Sequence, residues 1–92
     1  MTEILEVNGL DGYTRWYKDG VPHREDGPAL YNKNGYEVWM KDGRVHREDG
    51  PAIISKRGNH WYLDGTQYSY EKWIKVVDQR YPKLIIHQVL TL

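Results

Sequence analysis

The chain has 92 residues, of which 39% are hydrophobic, and its 13 basic residues balance 13 acidic ones. This length is enough for one small domain over residues 1–92, and the neutral charge argues against nucleic acid as a partner, because contacts to phosphates need a basic surface. Cysteine is absent, which excludes disulfides, thiolate zinc sites and a cysteine nucleophile. We find neither a signal-peptide pattern nor an apolar run of ~18 residues, so we expect a cytoplasmic protein without membrane contact.

An internal duplication dominates the chain up to Tyr68. Residues 1–10 contain the stretch EILEV, which predicts an amino-terminal strand at a sheet edge. Residues 11–33, DGYTRWYKDGVPHREDGPALYNK, then align without a gap with residues 34–56, NGYEVWMKDGRVHREDGPAIISK. The period of ~23 residues lies in the range of known repeat families. Residues 57–68, RGNHWYLDGTQY, begin a third unit that stops before the heptapeptide HREDGPA. The sequence therefore predicts two and a half repeats over residues 11–68.

Each unit carries turn signals that divide it into about two strands. Asp-Gly pairs at residues 19–20, 42–43 and 64–65 follow aromatic segments, and Asp-Gly is typical of a hairpin turn in which glycine has a positive φ angle. The heptapeptide predicts a second turn, with Gly27 and Gly50 in the left-handed conformation and a proline starting the next strand. Asn34-Gly35 and Arg57-Gly58 predict the third turn. The fold class is therefore mainly β, an antiparallel meander of repeated β-hairpins.

Both faces of the predicted sheet carry aromatic side chains. Successive residues of a strand point to opposite faces, so one face should hold Trp16, Trp39 and Trp61 and the other Tyr17, Met40 and Tyr62. The sequence does not say which face is buried. A helix that covers one of them is expected next in the chain.

Residues 69–81 predict a single α-helix that covers the open end of the sheet. Ser69 is a suitable N-cap, Glu71 lies in the first turn, and Pro82 ends the pattern. Apolar residues recur at helical spacing, at positions Tyr70, Trp73, Ile74, Val77 and Tyr81. This helix replaces the third heptapeptide and protects the terminal strand edge.

The carboxy-terminal segment, KLIIHQVLTL at 83–92, predicts a final apolar strand. Apolar side chains fall on both faces of such a strand, so it needs cover. Two arrangements are open: the strand joins the sheet of its own domain, or it pairs with a partner or a second copy of the chain. The second arrangement would give a homodimer through residues 83–92.

The order of Gly, Trp, Asp-Gly and His within each unit resembles the MORN repeat family. MORN units usually follow their histidine with Gly-x-Gly, whereas HREDGPA is similar to the WYxxGxxHREDGPA variant of small bacteriophage and giant-virus proteins. The resemblance covers residues 11–68. It implies a curved ladder of β-hairpins with a scaffold or interaction role, and it implies no catalytic residues. Phage origin would imply action inside an infected bacterium, where such proteins bind and disable a host enzyme or sequester a signalling molecule.

The histidines of the heptapeptide have a functional and a structural interpretation. His23 with Asp26, and His46 with Asp49, have the residue types of an acid-base or metal site. Equivalent residues of units that are two strands deep lie about 9 to 10 Å apart, whereas two imidazoles on one Zn²⁺ need nitrogens within roughly 4 Å. We therefore favour turn chemistry for these residues and expect no metal and no catalytic residue.

The remaining site candidates are exposed charges and aromatic side chains. Ion pairs at turn tips stabilise little, so the repeated Arg-Glu pairs are available for recognition, and they are the part of the heptapeptide that the turn needs least. The partner-binding set is Arg24, Glu25, Arg47, Glu48, Trp16, Trp39, Tyr17 and Tyr62. A tryptophan ladder with a spacing of about 9 to 10 Å is too wide for contiguous stacked bases, which lie ~3.4 Å apart, so core packing is the simpler interpretation of the indoles.

The expected function is a non-catalytic protein–protein interaction module without cofactor, whose partner is a host bacterial protein, such as a component of a defence system. The alternative is a binder or sponge for a small nucleotide-like signal, with His23, His46, Arg24 and Arg47 as ligand contacts. A third hypothesis, a nuclease using His23 or His46, lacks a complete catalytic constellation.

Overall fold

The computed structural model describes residues 2–82. The predicted final strand at residues 83–92 lies outside this range. In chain order the elements are β1 Ile4–Asn8, β2 Tyr13–Lys18, β3 Val21–Pro22, β4 Leu30–Asn32, β5 Glu37–Val38, β6 Met40–Lys41, β7 Arg44–Val45, β8 Ile53–Ser55, β9 Gly58–Leu63, β10 Thr66–Tyr68 and α1 Tyr70–Arg80.

The strands form an antiparallel sheet with the order β1-β2-β4-β5-β8-β9-β10, in which β3 pairs with the second half of β2. A separate two-stranded ladder joins β6 and β7. The expected class, a mainly β antiparallel sheet with one helix after it, is confirmed for residues 2–82. Within this range, the helix is neither long nor apolar enough to cross a membrane.

The Asp-Gly pairs form the hairpin turns that the sequence predicts. Asp19, Asp42 and Asp64 have φ angles of 50°, 51° and 51°, and the glycines that follow them have 80°, 80° and 82°. Positive φ at both central residues defines the primed turn that matches the twist of a hairpin. Gly35 and Gly58 at the third turn type also have positive φ, at 91° and 137°. These predictions are confirmed.

The prediction for the glycines of the heptapeptide is wrong. Gly27 and Gly50 are not among the residues with positive φ. A Cβ atom at Gly27 would lie 2.9 Å from Cζ of Arg24, and one at Gly50 would lie 2.9 Å from Cζ of Arg47. Glycine is therefore required here because a guanidinium packs against the backbone, not because the backbone has a positive φ angle.

The register places the three tryptophans on one face of the sheet. Glu6 pairs with Trp16 while Leu5 pairs with Tyr17, so Trp16 and Tyr17 lie on opposite faces, as predicted. We call the side that carries Trp16, Trp39 and Trp61 the tryptophan face. The other side carries Tyr17, Met40 and Tyr62 and is called the tyrosine face.

Helix α1 covers the tryptophan face at the third unit. Ser69 caps it by accepting a hydrogen bond from the Lys72 N–H, at 3.2 Å. Leu63, Trp73 and Val77 form a buried cluster, against which Trp61 and Tyr68 of the hairpin pack. The predicted helix over residues 69–81 therefore ends within one residue of the observed one at each terminus.

Candidate interaction surface

Both heptapeptide histidines are buried and make the same hydrogen bonds. His23 is 3% exposed and His46 is 7% exposed. Nδ1 of His23 accepts a hydrogen bond from the backbone N–H of Asp42 at 2.8 Å, and Nδ1 of His46 accepts one from Asp64 at 2.9 Å. Each histidine therefore holds the Asp-Gly turn of the following unit.

The second ring nitrogen of each histidine faces a glutamate. Nε2 of His23 lies 2.9 Å from Glu25, and Nε2 of His46 lies 2.8 Å from Glu48. Because Nδ1 accepts from an N–H group, the proton of the neutral ring lies on Nε2, which donates to the carboxylate. The His-Asp pairing considered from the sequence is not made within the heptapeptide. Its Asp26 instead accepts from Nε of Arg24 at 3.2 Å.

The arginines of the heptapeptide take part in the turn. Arg47 donates to the carboxylate of Asp49 at 2.9 Å and to the Pro51 carbonyl at 3.1 Å, and its guanidinium lies 3.6 Å from the ring centre of Trp39. Arg24 stacks on Trp16 at 4.2 Å. Only 22% of the Arg24 side chain and 19% of the Arg47 side chain are exposed. The sequence suggested that the turn needs Arg-Glu least, whereas the structure uses both residues.

Two equivalent depressions lie on the tryptophan face. The first is lined by Trp16, Lys18, His23, Arg24, Glu25 and Asp26, together with Thr2 and Ile4. The second is lined by Trp39, Lys41, His46, Arg47, Glu48 and Asp49, together with Arg24 and Glu25 of the preceding unit. Six lining positions of one depression recur in the other, one repeat unit later in the sequence, so the surface repeats with the sequence.

At the third unit, helix α1 packs over the place that the depressions take in the first two units. Tyr70 lies against Trp61 with ring centres 5.1 Å apart, in the position that an arginine holds in the first two units. Nε1 of Trp73 donates to the Arg47 carbonyl at 3.2 Å. At the other end, the backbone N–H of Asp19 donates to the Glu3 carbonyl at 2.8 Å, so the amino-terminal segment replaces the missing histidine.

The predicted partner-binding set falls on two sides of the sheet. Six of its members, Trp16, Trp39, Arg24, Arg47, Glu25 and Glu48, lie around the two depressions. Tyr17 and Tyr62 lie on the tyrosine face. A single flat partner therefore does not contact all eight residues at once.

The charged side chains on the tryptophan face differ in whether they already have a partner within the molecule. Glu25 has 68% of its side chain exposed although it accepts from His23. Lys18 and Lys41 make no ion pair within 4.0 Å in the described range. Sequence reasoning missed these lysines, although the repeated Lys-Asp-Gly at residues 18–20 and 41–43 carried the signal.

One carboxyl group and one phenol group near the repeats have shifted pKa values. A hydrogen bond from the Arg15 guanidinium, with a second from the Tyr13 N–H, lowers the pKa of Asp11 to about 2. Burial raises the pKa of Tyr81, and the neighbouring charge of Glu48 acts in the same direction. Within residues 2–82 no three His, Asp or Glu side chains are grouped so that they could hold a metal ion.

One indole on the tryptophan face has an unsatisfied donor. Nε1 of Trp39 donates to Glu37 at 3.0 Å, whereas Nε1 of Trp16 is buried without a hydrogen-bond partner in the described region. The residue equivalent to Glu37 in the first unit is Thr14, whose hydroxyl donates to Asn8 instead. The two depressions therefore have equivalent lining residues, but the indole N–H has a hydrogen-bond acceptor only in the second.

Comparison with models of known families, with curated proteins and with solved structures gave no match to this chain.

Proposed function

We propose that this protein is a non-catalytic protein-interaction module of the MORN-like type, and that it recognises its partner through the two depressions of the tryptophan face. The observation that carries the proposal is their equivalence: six side-chain positions line both depressions, each pair separated by one repeat unit. Repeated surfaces of this kind suit an extended partner, which can occupy both depressions at once.

The chemistry of the lining residues supports binding rather than catalysis. Both nitrogens of His23 and of His46 already have partners that hold the turns together. A general base has to be free to take a proton from a substrate, so these imidazoles are poorly suited to that role. Lys18, Lys41 and the exposed carboxylate of Glu25 are the groups with capacity for new contacts.

The similarity of the heptapeptide to variants in small phage proteins supports a more specific form of the proposal. In this form the partner is a protein of the bacterial host, and binding modulates or inhibits it. A defence protein is the kind of host protein whose inhibition would benefit a phage.

The test uses two pairs of equivalent lysines. Lys18 and Lys41 line the depressions, whereas Lys33 and Lys56 are also one repeat unit apart but lie in exposed turns between units. The double variant Lys18→Glu/Lys41→Glu should lose a stoichiometric partner that the unchanged chain recovers from bacterial lysate. The matched variant Lys33→Glu/Lys56→Glu should retain it. Equal recovery by both variants, or a partner that also binds the unfolded chain, would refute the proposal.

Single variants show whether one partner spans both depressions. If it does, Lys18→Glu and Lys41→Glu each weaken binding, and their effects combine in the double variant, because linked contacts reinforce each other. If only one depression is used, only one single variant has an effect, and the proposed role of the repetition is wrong.

The alternative function, binding of a small nucleotide-like molecule, makes a different prediction. Arg47 and Lys41 line one depression and could meet an anion, although Arg47 already has two partners within its turn. Nucleotides, cyclic dinucleotides and ADP-ribose derivatives would then raise the melting temperature of the isolated chain. Absence of a shift with all of them would exclude this alternative.

A further inference from the structure

Two asparagines of this chain are followed directly by glycine, at residues 8–9 and 34–35. An asparagine in this context can react with the main chain, because glycine has no Cβ that hinders the approach of its amide nitrogen to the asparagine Cγ. The reaction needs a side-chain amide that can turn toward the main chain and an amide nitrogen that can lose its proton. The structure provides these conditions at one of the two sites.

Asn8 and Gly9 are held by short hydrogen bonds. The side-chain oxygen of Asn8 accepts from the Thr14 hydroxyl at 2.9 Å, and the Gly9 N–H donates to the Tyr13 carbonyl at 2.8 Å. Asn8 also pairs with Thr14 in the ladder between β1 and β2. Both groups that would have to react are therefore occupied, and the hairpin has to open before they can meet.

Asn34 and Gly35 lie in the exposed turn between β4 and β5. Within residues 2–82 the side chain of Asn34 makes no hydrogen bond. The Gly35 N–H donates to the Asn32 carbonyl at 3.4 Å, which is long for a bond between amides. Apart from the adjacent residues, no atom lies within 4 Å of the position that a Cβ at Gly35 would take. The reacting groups of this turn are therefore weakly held and open to water.

The turn between β4 and β5 is held by the side chain of Asn32, not by that of Asn34. Oδ1 of Asn32 accepts from the Asn34 N–H at 2.9 Å and from the Tyr36 N–H at 3.1 Å. The Asn32 N–H also donates to the Tyr36 carbonyl at 3.1 Å. A change in the side-chain amide of Asn34 therefore breaks none of these bonds.

The first unit shows the same turn with a carboxylate in place of the amide. Residues 34–35 are equivalent to Asp-Gly at residues 11–12, one repeat unit earlier. Gly12 and Gly35 have φ angles of 87° and 91°. In both turns the glycine N–H donates to the carbonyl three residues earlier, at 3.2 Å and 3.4 Å. Because the two turns match, an aspartate at position 34 fits the fold.

We propose that Asn34 is a site of spontaneous covalent modification in the folded protein, and that the fold protects Asn8 from the same reaction. The Gly35 amide nitrogen loses its proton to hydroxide and attacks Cγ of Asn34. A C–N bond forms, and the side-chain nitrogen takes up a proton and leaves as ammonia. Water then opens the cyclic succinimide at either of its two carbonyls, which gives aspartate or isoaspartate at position 34.

The two products have different effects on the sheet. Aspartate keeps the main chain as it is and adds a charge, as in the first unit. Isoaspartate leads the main chain through the former side chain, which adds a carbon atom to the turn that Asn32 spans and weakens the pairing of β4 with β5. None of residues 32–36 lines either depression of the tryptophan face, so the modification and the proposed function can be tested separately.

The experiment follows both asparagines in the full chain during incubation in mildly alkaline buffer. Mass spectrometry of its peptides measures the gain in mass when an amide becomes an acid, which isomerisation at the Asp-Gly pairs does not produce. A typical hydrogen bond changes an equilibrium constant by a factor of roughly 2 to 13, and Asn8-Gly9 has two short ones to open. Conversion at Asn34 should therefore be faster than at Asn8 by about tenfold or more.

The same chain unfolded in urea is the matched control, because both asparagines then differ little in their surroundings and should convert at similar rates. Similar rates at the two sites in the folded chain, or protection of Asn34 by folding as strong as that of Asn8, would each overturn the proposal.

Two variants complete the test. Asn34→Gln should lose the fast gain in mass, because its longer side chain has to form a larger ring. Asn34→Asp should unfold at the same urea concentration as the unchanged chain, whereas aged chains enriched in isoaspartate at position 34 should unfold at a lower one. A fast gain in mass that persists in Asn34→Gln would overturn the assignment to Asn34. Equal unfolding of the isoaspartate chain and Asn34→Asp would overturn the proposed effect on the sheet.

Discussion

At the scale of single residues, each buried histidine adds a side-chain hydrogen bond between one unit and the next. Each one accepts a hydrogen bond from the N–H of an aspartate that has a φ angle of 51°. An N–H group at such a turn, once buried without an acceptor, costs about 1 to 3 kcal/mol. The histidine supplies that acceptor from a residue 18 or 19 positions earlier.

Replacement of His46 tests this role. His46→Ala removes the acceptor for the Asp64 N–H and leaves a cavity, so we expect the free energy of unfolding in urea to fall by about 2 to 3 kcal/mol. His46→Asn keeps an acceptor near the position of Nδ1 and should recover part of this loss. His60→Ala, at an exposed histidine, should change the free energy by less than about 0.5 kcal/mol. Equal losses for His46→Ala and His60→Ala would contradict the structural role.

The glycine of the heptapeptide gives a second prediction at this scale. Gly50→Ala places a Cβ 2.9 Å from Cζ of Arg47, and such overpacking costs about 1 to 3 kcal/mol. In an Arg47→Ala background the clash is gone, so the same substitution should cost much less. A double-mutant cycle by urea unfolding measures the difference. Additive losses would show that Gly50 is needed for its backbone conformation after all.

At the scale of elements, one exposed carboxylate supports the turn between β1 and β2. Asp11 accepts hydrogen bonds from Tyr13 and Arg15, at 3.1 Å and 2.7 Å. Its pKa is lowered from 3.8 to about 2, so its contribution to stability is present above pH 3.8 and is lost as the pH falls through about 2. The hairpin should therefore keep its turn in mildly acidic solution.

A carboxyl titration followed by NMR checks this prediction. The Asp11 side chain should titrate near pH 2 in the unchanged chain, and Arg15→Gln should raise its pKa toward 3.8, because the largest cause of the shift is the guanidinium. Arg44→Gln, at an exposed arginine of β7, should leave it unchanged. A midpoint near 3.8 in the unchanged chain would mean that the Asp11–Arg15 pair does not form in solution.

Much of each element could be predicted from local sequence, and the contacts between elements could not. Asp-Gly determines its turn through its own backbone, and Ser69 caps the helix with a side-chain oxygen that accepts from an N–H three residues later. The hairpin turns and the helix over residues 70–80 therefore follow from a few neighbouring residues. The path of HREDGPA depends on packing of Arg47 onto Trp39. The partner of His46 lies in the next unit. Neither fact can be read from a local pattern, because both need the register of the sheet.

At the scale of the whole molecule, the first and third units obtain by different means the contacts that a neighbouring unit supplies elsewhere. The Glu3 carbonyl accepts from the Asp19 N–H, as a histidine does at the other two Asp-Gly turns, and helix α1 fills the third unit in place of a heptapeptide. Between the ends, the junctions from unit one to two and from two to three use the same bonds. Because both junctions use the same hydrogen bonds, the contacts at the two ends do not determine how many central units lie between them.

Insertion of an extra unit tests this independence. A second copy of residues 34–56 placed after residue 56 should fold in one cooperative transition, with a urea m value larger by about a quarter, since m follows the surface exposed on unfolding. The same insertion with alanine at the histidine of the added copy should be less stable, with a similar m value. An unchanged m value would show that the added unit stays unfolded.

The hydrogen bonds from each histidine to the next Asp-Gly turn also bear on the order of folding. Across residues 2–82, the hydrogen bonds between side chains or loops join positions at most 26 residues apart, the longest being Trp73 to Arg47. A chain with such short sequence separations closes small loops and avoids the slow search that distant strand pairing requires. The heptapeptide of one unit can therefore make its contacts as soon as the Asp-Gly turn of the next unit is available, and the sheet can form from the amino terminus onward.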